Sequence, residues 1–120
     1  MKCMIVLPFL MMMVAATTYT TENDDIDIEA LVSDPESLRQ FIGCFMDTSP
    51  CNQVAADFKK DLPEAIREAC AKCTAAQKHI FRRFLEGGSE KLPSEIQDFK
   101  KKYDPEGTHF AALEAAIANE

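Results

Sequence analysis

Apolar positions recur along this chain with the spacing of one helix face after another, and nowhere do they alternate over the length of a strand. A first short amphipathic segment at 24–32 carries Ile28, Leu31 and Val32. Asp34 and Pro35 then read as an N-cap and a first helical position, with Leu38, Phe41, Ile42 and Phe45 following at i, i+3, i+4 and i+7. From Asn52 a third helix carries Val54, Phe58, Leu62 and Ile66 at steps of four, and Pro63 is expected to kink or divide it. Thr74 with Gln77 three residues later makes a capping box for a fourth helix, whose broad face holds Ile80, Phe81, Phe84 and Leu85. Gly87-Gly88 is expected to end that helix. Ser94 should cap a fifth, carrying Ile96, Phe99 and Tyr103, which the turn Asp104-Pro105-Glu106-Gly107 stops. Thr108 should cap a last helix bearing Phe110, Leu113 and Ile117.

Six short helices with one apolar stripe each must turn those stripes inward, so the pattern predicts a single compact all-α domain. Phe41, Phe45, Phe58, Phe81, Phe84 and Phe99 are many large rings for a chain of 120 residues. They fill a closed core, or they enclose a space between helices that do not close on one another. Periodicity is the same in both cases.

The N-terminus changes the picture by setting the compartment. MKCMIVLPFLMMMVAATTYT has one basic residue, Lys2, then an apolar run that ends in small residues, the pattern of a secretory signal peptide. A membrane anchor needs about 20 apolar residues, more than this run supplies. Cleavage is expected after Ala16, which makes residues 1–16 a signal and 17–120 the domain, and leaves 104 of the 120 residues in a secreted, extracellular protein. Loss of Lys2 takes the formal charge from −7 to −8. An acidic protein has no electrostatic support for nucleic acid or an anionic membrane as a partner. Lys100-Lys101-Lys102, the one basic run, reads as a solvated helix face.

Cys3 leaves with the signal, so the secreted chain keeps Cys44, Cys51, Cys70 and Cys73. An even set in a small secreted domain reads as disulfides. Zinc is the rival, but six residues separate Cys44 from Cys51, longer than the usual ligand spacing, and an oxidising compartment removes free thiolates. No βαβ pattern surrounds Cys70-Ala71-Lys72-Cys73, which argues against a thioredoxin-like role. Pairing stays open at this point. Adjacent pairs close small loops worth about 2 to 2.5 kcal/mol each, whereas crossed pairs would contribute about 3.5 kcal/mol each. Loop entropy therefore favours crossing, and the Thr48-Ser49-Pro50 turn and the one-turn spacing of Cys70 and Cys73 favour local pairs.

Catalytic signals are absent from the sequence pattern, and no cofactor or metal is expected. Neither His79 nor His109 stands beside a nucleophile motif, and there is no G-x-S-x-G, H-E-x-x-H or phosphate loop. The chain reads as a non-enzyme.

The spacing Cys44-x6-Cys51-x18-Cys70-x2-Cys73, with TYTTENDDIDIEAL after the signal, FKKDLPEAI before the third cysteine, CAKCTAAQK across the last pair and KYDPEG near the end, resembles the insect chemosensory proteins of the olfactory-segment D type. The likeness runs from about 19 to 107. It implies a soluble, monomeric carrier of six helices around an internal hydrophobic channel. Its partner would be a small hydrophobic ligand, such as a long-chain fatty acid, ester, alcohol or other semiochemical. It also implies the adjacent pairs Cys44–Cys51 and Cys70–Cys73. On this reading the inward stripes hold the ligand: Leu31, Phe41, Ile42, Phe45, Val54, Phe58, Leu62, Ile66, Ile80, Phe84, Ile96, Phe99 and Tyr103. The rival is a secreted structural or signalling protein with a closed core that acts through its surface.

Two departures from the family pattern stand out. Similar proteins commonly have tryptophan where this chain has Ile96, and they are usually basic after the KYDPEG segment, where FAALEAAIANE is Ala-rich and acidic. If the Ile96 face lines the channel, Ile96→Trp should shift preference toward shorter ligands with little loss of stability.

Overall fold

The structure, a computed structural model, describes residues 18–120; the expected signal segment and its cleavage point lie outside the described residues. Among these residues there are six α-helices and no strand: α1 (Ile28–Ser33), α2 (Pro35–Phe45), α3 (Gln53–Arg67), α4 (Ala75–Lys91), α5 (Pro93–Tyr103) and α6 (Phe110–Ile117). The longest helix, α4, packs against α1, α5 and α6, while α2 packs on α1, α3 and α5.

Side chains start the first four helices by accepting the backbone donors that a helix leaves free at its N-terminus. The Asp27 carboxylate accepts from Ala30 N at 3.1 Å, and Asp34 accepts from Glu36 N at 3.1 Å with Pro35 just inside α2. Asn52 accepts from Ala55 N at 2.7 Å. Thr74 and Gln77 form the full capping box, Gln77 N donating to Thr74 Oγ1 at 3.1 Å and Thr74 N donating to Gln77 Oε1 at 3.0 Å. The first helix is shorter than the segment 24–32 read from periodicity, because Asp27 caps it and residues 22–25 form a turn.

Four local expectations are corrected. Pro63 does not divide α3, which continues through it to Arg67, the proline sitting on an exposed face. α4 does not stop at Gly87-Gly88 but continues to Lys91. Those glycines are there for contact: a Cβ on Gly87 would lie 2.7 Å from Val32 Cβ, and one on Gly88 would collide with the Ile96 side chain. They let α1 and α5 approach the α4 backbone, which outweighs the helix cost of about 1 kcal/mol per glycine. α5 begins at Pro93 with Leu92 at the cap and no side-chain bond, so Ser94 is not its cap. Thr108 does not cap α6 either. The buried Asp104 carboxylate reaches forward to accept from Thr108 N (3.0 Å), His109 N (2.8 Å) and Phe110 N (3.1 Å).

The cysteines form two local disulfides, Cys44–Cys51 and Cys70–Cys73, each with Cα atoms 4.9 Å apart. The first ties the end of α2 to the start of α3 after a tight reversal, where Thr48 N and Ser49 N both donate to the Gly43 carbonyl. The second closes the turn after α3, with Ala69 and Cys70 at φ 53° and 60°, in the left-handed region that lets the chain reverse at once. Fully buried Leu38, Ile42, Phe45, Ile66, Ile96, Phe99, Leu113 and Ile117 make the centre of the core. The Tyr103 hydroxyl locks α5 to α2 by donating to the Phe45 carbonyl at 2.7 Å.

Candidate functional site

The aromatic stripes of α2, α3 and α4 meet at one end of the bundle without closing on each other. They leave a cavity of about 50 Å³ lined by Phe41, Phe45, Phe58, Leu62, Ala65, Cys73, Ile80, Phe81 and Phe84, with Tyr19, Asp61 and Gln77 as its polar members. The rings pack edge to face: Phe41 to Phe45 at 4.9 Å, Phe41 to Phe84 at 6.1 Å and Phe41 to Phe58 at 6.3 Å between centroids. The same network continues inward through Phe84 to Phe99 at 5.4 Å and Phe99 to Phe110 at 6.1 Å. There it is solid core.

The segment before α1 is tied to α3, α4 and the turn between them, and its Tyr19 lines the cavity. Tyr19 N donates to the Lys72 carbonyl at 2.9 Å, its hydroxyl donates to Glu64 Oε1 at 2.8 Å, and Gln77 Nε2 donates to the Thr20 carbonyl at 2.7 Å. Further along, Asn23 donates to Asp57 at 3.0 Å and the Thr74 hydroxyl to Asp24 at 2.9 Å. Burial, and then the bond to Glu64, pushes the Tyr19 phenol well above its usual range. The same bond, with the Lys72 ammonium at 3.2 Å, holds the Glu64 carboxyl below its own. Tyr19 therefore stays a neutral donor and Glu64 a charged acceptor at neutral pH.

Of the residues that the sequence reading offered for ligand binding, the structure brings six together at the cavity: Phe41, Phe45, Phe58, Leu62, Ile80 and Phe84. Ile42, Ile66, Ile96 and Phe99 lie in the closed core, each at most 2% exposed. Leu31, Val54 and Tyr103 are partly buried and pack against that core elsewhere. Ile96 in particular faces Gly88 of α4, away from the cavity. Missed residues are Tyr19, Asp61, Ala65, Gln77 and Phe81, together with Cys73 as wall. Periodicity held a signal for two of these, since Phe58, Asp61, Leu62 and Ala65 fall at i, i+3, i+4 and i+7 on α3. Tyr19 precedes every helix, so no apolar periodicity marks it, although it stands in the TYTTENDDIDIEAL segment.

His79 lies where its Nδ1 is 3.2 Å from the Glu120 carbonyl, and His109 stands at the start of α6; neither touches the cavity. Among the described residues no group of three or more His, Cys, Asp or Glu is arranged to hold a metal ion, and no helix is long and apolar enough to cross a membrane.

The profile of the insect pheromone-binding family A10/OS-D matches residues 19–111. The chain belongs to that family. Among curated A10/OS-D relatives, it is 31% identical over 91 residues to the putative odorant-binding protein A10 of Drosophila melanogaster, covering 76% of this chain and 59% of that one. It is 28% identical over 97 residues to ejaculatory bulb-specific protein 3 of the same insect, covering 81% and 77%. It is also 28% identical over 92 residues to allergen Tha p 1 of Thaumetopoea pityocampa, covering 77% and 73%. In three dimensions it superimposes on a chemosensory protein solved in complex with bromo-dodecanol, with a TM-score of 0.75, 26% identity, and 82% of this chain and 98% of that one covered. That similarity extends the resemblance read from the cysteine spacing to the whole six-helix arrangement and its two local disulfides.

Proposed function

We propose that this protein is a secreted carrier that reversibly binds a small hydrophobic ligand, a long-chain alcohol, ester or fatty acid, in the cavity between α2, α3 and α4. The observation that carries the reading is a cavity between α2, α3 and α4 whose wall is mostly aromatic and apolar side chains. The chemosensory protein with bromo-dodecanol supports it, because a protein of this fold held a ligand of that class. The leader at 1–16 supplies the route to the outside.

Magnitudes define what binding requires. Micromolar affinity corresponds to about 8 kcal/mol. At about 0.8 kcal/mol per buried methylene, roughly ten methylenes must be enclosed. A cavity of about 50 Å³ has room for only a few water molecules. A long chain must therefore widen it, and the partly exposed Phe58 and Tyr19 are the side chains with space to move. Opening costs part of the burial energy, so the net affinity is lower than the enclosed methylenes alone would give.

Displacement of a fluorescent fatty probe by 1-dodecanol tests the proposal. Phe58→Ala and Phe41→Ala should each weaken probe binding several-fold. Native mass spectrometry of protein from its source should show a bound apolar mass. No probe binding, or binding indifferent to both substitutions, would favour the rival protein with a closed core acting through its surface.

A further inference from the structure

Polar groups around the cavity are unevenly committed. The Tyr19 hydroxyl is held by Glu64 at 2.8 Å. The Gln77 amide is used at both ends, accepting from Thr74 N at 3.0 Å and donating to the Thr20 carbonyl at 2.7 Å. Asp61 is the exception. It lines the cavity from α3 beside Phe58 and Leu62, it is partly buried, and it engages no partner among the described residues. Burial pushes its carboxyl above the usual range; Lys60 pulls the other way, and Glu64 and Asp57 push upward again. Lys60 is exposed and does not line the cavity, and the Lys72 ammonium is taken by Glu64 at 3.2 Å. The one charged side chain that lines the cavity is thus an acceptor without a partner, set among further carboxylates. No cationic side chain lines the cavity to receive an anion.

Resting on the carrier reading above, the geometry points to Asp61 as the residue that selects the ligand's head group: the cavity takes long-chain compounds whose head donates a hydrogen bond, primary alcohols foremost, and rejects fatty carboxylates. Two effects act together. A hydroxyl gives the Asp61 oxygens the partner that the protein denies them, and bonds to a charged acceptor are about twice as strong as neutral ones. A carboxylate brings a second negative charge into the same low-dielectric space and leaves both groups unsatisfied. An ester neither donates nor repels, so it separates the two effects.

Dissociation constants of 1-dodecanol, methyl dodecanoate and dodecanoate would be measured at neutral pH by probe displacement, on the purified protein and on Asp61→Asn and Asp57→Asn. Asp57 is the control, because it carries the same charge on the same helix but is occupied by Asn23 and Gln53 and lies off the cavity. Wild-type protein should bind the alcohol at least tenfold tighter than the carboxylate, with the ester between. Asp61→Asn should shrink that ratio below about threefold, mainly through tighter carboxylate binding, and Asp57→Asn should leave it unchanged. Equal binding of the alcohol and the carboxylate by the wild type overturns the inference while the carrier reading survives. The same holds for an Asp61→Asn ratio that does not move, or for an Asp57→Asn ratio that moves as far. Failure of the probe and all three compounds to bind overturns both. Should Asp61→Asn fail to fold, as circular dichroism would reveal, the wild-type ranking of the three compounds still decides.

Discussion

Replacing Ile96 with tryptophan asks whether the α5 face is ligand wall or core, and the structure sets the answer. Ile96 is 0% exposed and meets α4 at Gly88, so closely that a single Cβ there would collide with it. An indole has nowhere to go. Overpacking of this kind costs about 1 to 3 kcal/mol, and each kcal/mol moves the midpoint of a domain of this size by about 4 to 8 °C. Ile96→Trp should therefore lower Tm by roughly 4 to 24 °C and shift the urea midpoint in step, while the preference among C10 to C16 alcohols stays as it was. Gly88→Ala tests the same wall from the other side. Helix propensity alone would make it about 1 kcal/mol more stable, whereas the Ile96 contact should cancel that gain or reverse it. Phe58→Trp, at the partly exposed cavity wall, is the contrast and should change ligand preference with little loss of stability. The reasoning fails if Ile96→Trp keeps the wild-type Tm and shifts the preferred chain length, because Ile96 would then be channel wall.

Asp104 and the disulfides give two further tests. Burial works to raise the Asp104 carboxyl, but the backbone N–H groups of His109, Phe110 and Thr108, with the nearby His109 side chain, outweigh it and hold it below the usual carboxylate range. A folded value below the unfolded one means that its stabilisation is complete above about pH 4 and fades as pH falls through the lower folded value. Asp104→Asn should accordingly lower Tm at pH 7, with the gap to wild type closing in acid; a gap that is constant down to pH 2 would show that ionisation is not what matters. Removing Cys70–Cys73 by the double alanine substitution should cost about 2 kcal/mol, and removing Cys44–Cys51 about 2.5 kcal/mol, from the sizes of the loops they close. Peptide mapping without reduction should yield only those two cross-links, and any peptide joining one pair to the other would contradict the pairing.

Helices were legible wherever a stripe and a side-chain cap coincided, as at Asp34-Pro35, Asn52 and Thr74 with Gln77. Boundaries failed where tertiary contact overruled a local signal. Gly87-Gly88 looks like a terminator because glycine tolerates the turn past a helix end, yet here the missing Cβ atoms serve the packing of Val32 and Ile96. Ser94 and Thr108 have the chemistry of caps, but Pro93 preset the start of α5, and Asp104, arriving from the preceding helix, already satisfied the first donors of α6. A cap supplied from outside the helix leaves no mark at the helix's own N-terminal residue.

The cavity was half legible for a different reason. A stripe of phenylalanines gives the same pattern whether its rings meet other rings or face a void, so Phe41 and Phe58 at the cavity cannot be told from Phe99 in the core by spacing. What separates them is which helices close around each ring, and that is a property of the assembled bundle. Near Phe99, α2, α4, α5 and α6 converge, and the space is filled. Around the cavity the walls come from α2, α3 and α4, with Cys73 of the turn and Tyr19 of the segment before α1, which hydrogen bonds involving Tyr19, Gln77, Asn23 and Thr74 hold in place. One continuous ring network thus serves two ends: its inner part holds the bundle closed, and its outer part walls the cavity between α2, α3 and α4.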